Sequence, residues 1–345
     1  MPTDEETWSS INKLKSRKSP GTCDIPAEVL KAIDTSGFKK LKAMLHKIWI
    51  ERKVPQDFKD GIIIPVYKKG DRAMCENYRG ITLLSIAGKI LTSIINNRLS
   101  SLYESILREQ QCGFRKGRGC ADQIYTLRQA LERRLRNGQP TIVTFIDFAA
   151  ALDSLHRYSI WKVLRIYGIP DLYIDIRKDM YAGAESFVRT SKGRSKVFSL
   201  STGVRQGCIL SAMLFNIILN WILLHAINQN DGVIVGENVV ITDLDYADDI
   251  ATLSESENTA QALIDSISDK AAQFGMKIKS TKTKAMYCHT QEVPQLSVNS
   301  ETIEVVDHFC YLGGYVMSQG MTLSGVGGTM PKTVEHVRHN ISPSK

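Results

Sequence analysis

Hydrophobic and polar positions along the chain switch repeatedly between a helical and a strand period. Thr3 and Glu6 have capping-box spacing, and Trp8, Ile11 and Leu14 recur at helical intervals, so a first helix is predicted to about Lys15. Ser19-Pro20-Gly21 breaks it. Residues 25–31 begin a second helix with Pro26 near its first turn, and a third carries Leu41, Leu45, Ile48 and Trp49. Residues 61–67 are short and β-branched, hence a strand, and residues 68–71 turn the chain. Asn77-Tyr78-Arg79-Gly80 is expected to lead into a helix with Leu84, Ala87, Ile90, Leu91, Ile94 and Ile95 on its apolar side. Asp122 is a candidate cap for the amphipathic helix of Ile124, Leu127, Leu131 and Leu135. Residues 141–148 read as a buried strand with Asp147 near its C-terminal end. Helical periodicity returns from Tyr158 to Tyr167, and Gly168-Ile169-Pro170 stops it.

In the second half, residues 187–190 and 196–200 are predicted as paired strands across a Gly-containing basic turn. A glycine-flanked loop, residues 202–208, opens the most apolar run, 212–227. That run is too short for a membrane span and carries Asn216, Asn220 and His225, so it is predicted as a buried helix with no membrane role. Residues 244–253 read as strand, tight turn, strand, with Asp248 and Asp249 at the turn. An amphipathic helix spans 258–274, with Gly275 suited to its C-cap. Lys282-Thr283-Lys284 then precedes a strand to Cys288, and a short strand from Phe309 ends at Gly313-Gly314. From Met321 onward no period is sustained, and little order is expected. There is no internal repeat.

Composition bounds the class. A chain of 345 residues with 43% hydrophobic and 23% charged residues can bury a large core and form two or three subdomains. The net charge of +8 recurs as clusters: Lys13, Lys15, Arg17 and Lys18; Lys68, Lys69 and Arg72; Arg115, Lys116 and Arg118; Lys192, Arg194 and Lys196; Lys277, Lys279, Lys282 and Lys284. One such cluster is an ordinary solvated face; their recurrence suits a groove that tracks phosphates. The seven cysteines are odd in number, irregularly spaced and without a CxxC pair, which argues against a disulfide framework or zinc module and suits a reducing intracellular setting. The N-terminus is polar and acidic, unlike a signal peptide.

Candidate chemistry rests on a few residues, each with a plain alternative. Asp favours turns, so Asp248-Asp249 is either a solvated turn or a divalent-metal site needing a third carboxylate. Asp147 is either a strand-end cap or a carboxylate on a sheet rim. The open cationic stretch 111–119 is either an ordinary basic loop or a hairpin reaching phosphates. Gln206, between near-bare neighbours, is either solvated or able to lie along a nucleotide.

The order of the motifs is specific. Lys18-Ser19-Pro20-Gly21, Ile25-Pro26-Ala27-Glu28, Lys69-Gly70-Asp71, Glu76-Asn77-Tyr78-Arg79 and Gly113-Phe114-Arg115-Lys116-Gly117-Arg118 come first. Phe145-Ile146-Asp147-Phe148, Gly203-Val204-Arg205-Gln206-Gly207-Cys208, Tyr246-Ala247-Asp248-Asp249, Lys282-Thr283-Lys284 and Tyr311-Leu312-Gly313 follow. In this order they resemble the reverse transcriptases of non-LTR (LINE-like) retrotransposons over almost all of residues 3–318. The resemblance implies an α/β (α+β) right-hand polymerase, with fingers and an antiparallel palm sheet and with the thumb largely missing. It implies RNA-directed DNA polymerisation: in-line transfer from a dNTP to a primer 3′-hydroxyl with two Mg²⁺ ions about 3.5–4 Å apart, Mn²⁺ being a possible substitute. Its partners would be an RNA template, a DNA primer and dNTPs.

Site residues follow from the same resemblance. Asp147 and Asp248 would be the main metal ligands and Asp249 the third acidic member, with a backbone carbonyl of Ile146 or Phe148 completing a shell. Arg115 and Arg118, with Arg79, match positions that grip the triphosphate. Gln206 would lie beside incoming nucleotide and template, and Tyr246 near the primer end. Lys282 matches the position that protonates departing pyrophosphate. Leu152 takes the place of the aromatic that usually walls off the sugar 2′-position, so looser exclusion of ribonucleotides is expected.

Other departures are Ala149-Ala150 where a lysine-containing stretch is usual, Ile209 and Ala212 in place of prolines, and Cys23 in place of an Asp. The expected division is 1–18 as an N-terminal helix, 19–140 as fingers, 141–318 as palm with 155–200 partly against the fingers, and 319–345 as an atypical tail. The family's endonuclease is expected upstream of residue 1. The missing endonuclease and thumb, with the alanines after Asp147, leave an alternative: a truncated or domesticated inactive remnant that binds RNA or DNA. Assembly in the cytoplasm and action in the nucleus are the expected localisation.

Overall fold

Thr3 opens the first helix as its spacing predicts. Its hydroxyl accepts from Glu6 N, and its own amide donates to the Glu6 carboxylate, starting helix Asp4–Asn12. A computed structural model of the protein describes residues 1–237, 239–289 and 295–318. The expected disorder of the C-terminal tail therefore lies outside the described residues. The chain divides into two compact units: residues 1–107 with 152–218, and residues 108–151 with 219 onward. Helix Ile209–Ala226 contributes to both.

The first unit is built on strand Gly61–Tyr67. It pairs antiparallel with Tyr78–Leu84 and parallel with Glu185–Thr190. Gly193–Arg194 and Phe198–Ser199 add to the latter. Strand Tyr78–Leu84 corrects the expectation that this segment leads directly into a helix with Leu84 on its face. Leu84 instead pairs with Gly61, and Ser85 caps helix Ile86–Ile106 by accepting from Gly88 N. Isoleucine and threonine suit a pleated surface once a partner strand is present, and that partner is invisible to local periodicity.

Helix Asp171–Tyr181 was not predicted. Its inner face mixes Ile174 and Ile176 with Arg177 and Asp179, which breaks the apolar period. Each charged side chain has a partner, although Arg177 Nε and Nη1 find none. Arg177 lies over the Tyr103 ring at 5.7 Å and donates to its hydroxyl. Asp179 accepts from Val54 N at 2.7 Å and pairs with Lys59 at 3.0 Å.

In the second unit the central strand is Thr141–Ile146, buried throughout. Asp249–Ser254 and Lys284–Cys288 flank it, both antiparallel; Asp243–Tyr246 lies beyond the first. Glu304–Val305 joins the other edge in parallel, so the sheet is antiparallel apart from that edge. Helix Cys120–Arg136 supplies Leu127, Ala130 and Leu131 to a core with Val143, Phe145, Leu244, Leu253 and Met286. Asp122 does contribute to its start, from inside the first turn: its carboxylate accepts from Gly119 N. Phe309 stacks on Phe145 at 4.2 Å from hairpin His308–Tyr311/Gly314–Met317. Among the described residues no helix is long and apolar enough to cross a membrane.

Candidate active site

The register of the second unit's sheet creates the site. Ile146 lies opposite Ile250, and Asp249 opposite Tyr246, so only Ala247 and Asp248 close the hairpin. The ladder ends at the pair of Ile146 with Ile250, and Asp147 and Asp249 are the next residues on the two strands. Two neighbouring strands thus deliver three carboxylates to one end of the sheet.

The segment after helix Glu257–Ala272 supplies the cation. Gly275 adopts φ 81°, releasing the chain from the helix. Ala149 N then donates to Lys277 O at 2.8 Å, and Lys279 N to Asp147 O at 2.8 Å. This lacing brings Lys282 Nζ to 3.5 Å from Asp147 Oδ1, and the Asp147 amide donates to Thr283 Oγ1 at 3.3 Å.

The electrostatics are those of crowded acids. The Asp249 carboxyl is pushed up to about 6, first by loss of hydration and then by the charges of Asp248 and Asp147. Burial chiefly raises Asp147 too, with Lys282 opposing and Asp248 adding to the rise. Asp147 Oδ1 is inaccessible and has no hydrogen-bond partner, Lys282 being an ion-pair neighbour only. Carboxylate oxygens are the hard donor type that a divalent cation takes. Among the described residues no group of three or more His, Cys, Asp or Glu side chains is placed to hold a metal ion. Mutual repulsion opposes the convergence of like charges.

The remaining predicted residues fall into both units. In the second, Tyr246 is half-buried beside the turn. Arg115 is buried and donates to the carbonyls of Arg108 and Gln111 at 2.7 and 2.9 Å, bracing its own loop. Arg118 donates to Glu109 O and pairs with the Glu109 carboxylate at 2.6 Å. In the first unit, Arg79 is exposed on strand Tyr78–Leu84. Leu152 and Gln206 come together there: Val204 N donates to Leu152 O at 2.7 Å, and Gln206 Nε2 donates to Asp153 Oδ2 at 3.1 Å.

Three features escaped the sequence reading. Asp153 orients Gln206, and its place beside Leu152 was the available signal. Arg108 Nη2 bonds the buried Asp243 and Asp245 at 2.6 and 2.8 Å. Burial, then the charge of Asp243, drives the Asp245 carboxyl well above the usual range, with Arg108 opposing. Nothing local marks those two acids as buried, because their partner is far away in sequence. The third is Gln111, which bonds the backbone of Ala247.

Comparison with known proteins names the family. The model described as "Reverse transcriptase (RNA-dependent DNA polymerase)" matches residues 66–326. The chain is 25% identical over 285 residues to the "Retrovirus-related Pol polyprotein from type-2 retrotransposable element R2DM" of Drosophila melanogaster, covering 81% of this chain and 26% of that protein. It is 24% identical over 322 residues to the "RNA-directed DNA polymerase from mobile element jockey" of the same species, covering 90% and 34%. With the "Probable RNA-directed DNA polymerase from transposon BS" it shares 28% over 217 residues, covering 62% and 24%. The chain belongs to the reverse transcriptase family, and its relatives are proteins of non-LTR retrotransposons. It spans about a quarter to a third of the length of these three relatives.

Proposed function

We propose that the protein adds deoxynucleotides to a DNA primer on an RNA template. The observation that carries this reading is that Asp147 and Asp249 each adjoin the last pair of the ladder, Ile146 with Ile250, with Asp248 in the connecting turn and Lys282 Nζ 3.5 Å from Asp147. In right-hand terms the second unit's sheet is the palm, and the sheet of residues 61–84 and 185–199 belongs to the fingers.

In the reaction the primer 3′-oxygen attacks the α-phosphorus, and the bond to pyrophosphate breaks. Asp147, Asp248 and Asp249 would hold two divalent cations, Mg²⁺ or in substitution Mn²⁺, which when bound offset the charge on the attacking and leaving oxygens. The Lys282 ammonium gives a proton to departing pyrophosphate. Gln206, held by Asp153, positions the nucleotide against the template, and Leu152 borders the sugar 2′-position. Arg79, Arg115 and Arg118 belong to the triphosphate-binding surface; Arg115 and Arg118 reach it by exchanging their present intramolecular partners for phosphate. Tyr246 borders the primer end. The greater length of the relatives leaves room for further domains, among them an endonuclease, in the full protein.

Primer extension on poly(rA)–oligo(dT) with Mg²⁺ is the test. A template-dependent product that Asp248→Asn eliminates, with the protein still folded by circular dichroism, is the expected result. Salt-dependent RNA binding that Asp248→Asn leaves unchanged, with no product from wild type, would overturn it in favour of a binding remnant.

A further inference from the structure

The Asp248 turn has a buttress outside the triad. Gln111 is 1% exposed, and its Oε1 accepts from Ala247 N at 2.8 Å and from Gly113 N at 2.7 Å. Its Nε2 lies 3.4 Å from Ala247 O. Two N–H donors on one atom fix the amide's orientation, since the NH₂ group cannot accept them. One side chain therefore meets both backbone polar groups of the residue before Asp248.

Ala247 needs such support. It is buried, and its φ of 55° lies in the left-handed region, which a residue with a Cβ seldom occupies. The hairpin ladder leaves its N–H unused, because the last pair is Tyr246 with Asp249. Residues 110–112 run alongside: Cys112 N donates to Asp245 O at 2.9 Å, and Asp245 N to Gln110 O at 3.1 Å. Gly113 completes the fit, since a Cβ there would stand 2.2 Å from Ala247 N.

We infer that Gln111 is a positioning residue for the reaction, holding the Ala247 peptide in its strained conformation and thereby aiming the Asp248 carboxylate. This rests on the reading of Asp147, Asp248 and Asp249 as the cation-holding set, but the backbone effect is measurable without polymerase activity.

The test compares the full chain with Gln111→Met, which has the length but no acceptor, and with Gln111→Glu, which keeps the acceptor. Hydrogen exchange at the Ala247 amide should accelerate at least tenfold in Gln111→Met and stay within threefold of wild type in Gln111→Glu. In primer extension, kcat should fall at least tenfold in Gln111→Met while the dNTP KM stays within twofold, and Gln111→Glu should recover most of the loss. Unchanged Ala247 exchange in Gln111→Met overturns the inference, as does faster exchange with unaltered kcat, or equal loss in both variants. If Gln111→Met does not fold, Gln111→Asn, which keeps the amide but falls short of Ala247, replaces it with the same expectations. A wild type without product refutes the polymerase reading, and the exchange experiment then decides the buttress alone.

Discussion

Lys282 Nζ stands 3.5 Å from Asp147 Oδ1, joining a partly exposed lysine to the acid at the end of the central strand. Partly exposed ion pairs contribute about 0–1 kcal/mol to stability, so this one is better suited to chemistry than to holding the fold. Lys282→Ala should lower kcat by roughly 10²-fold, within the range for loss of a general acid. The melting temperature should barely move. Steady-state primer extension alongside thermal melting checks both.

Asp248→Asn should separate activity from stability in the opposite sense. It removes one of three mutually repelling charges, so polymerisation is lost while stability holds or rises, by at most about 1 kcal/mol at this exposed site. Denaturant unfolding reads the second effect; a clear destabilisation would contradict the crowding of the acids.

On the proposed reading Leu152 borders the sugar 2′-position, where an aromatic ring would fill more space. Leu152→Phe should improve discrimination against ribonucleotides by about tenfold, the lower end of what a change in apolar pocket volume achieves. Competing dNTP and rNTP incorporation on one template measures the ratio. An unchanged ratio would remove Leu152 from the sugar-facing wall.

Arg108 donates from one nitrogen to two buried acids, at 2.6 and 2.8 Å. Arg108→Met should destabilise the protein by about 3–5 kcal/mol, because it leaves Asp243 and Asp245 buried without a counter-charge. Adding Asp243→Asn and Asp245→Asn to that variant should recover much of the loss. Urea midpoints of the series check the prediction.

Glu6 gives a pH signature. Hydrogen bonds from Arg98, Nε to Oε1 and Nη2 to Oε2 each at 2.7 Å, are the main reason its carboxyl falls from the ordinary 4.5 to about 2. A depressed acid stabilises the fold fully above its unfolded value and loses that contribution as pH falls through its folded one. The advantage of wild type over Glu6→Gln in melting temperature should therefore be nearly constant above about pH 4.5, shrink as pH falls towards 2 and vanish only below it. A gap that does not shrink between pH 4.5 and 2 would mean the pair stabilises through packing instead.

The elements that were legible in the chain are those whose signals are local. Thr3 with Glu6, Pro26, Ser19-Pro20-Gly21 and Gly275 each act within a few residues, through caps, fixed φ or freedom at positive φ. Strand Tyr78–Leu84 and helix Asp171–Tyr181 were not legible. The strand's residues choose their state by pairing with Gly61–Tyr67, and the helix buries Arg177 and Asp179 against partners distant in sequence.

From the sequence alone came the ordered set of acids, glutamine and lysine and, with it, the resemblance to the family, because residue types and their order are read without any tertiary partner. Tertiary structure alone decided what surrounds them. The register brings Asp147 and Asp249 to the same end of the sheet, the lacing of residues 277–279 on 147–149 delivers Lys282, and a buried glutamine amide meets the strained peptide before Asp248. These depend on which backbone groups and charges must be satisfied once water is excluded, and that is settled only when distant segments meet.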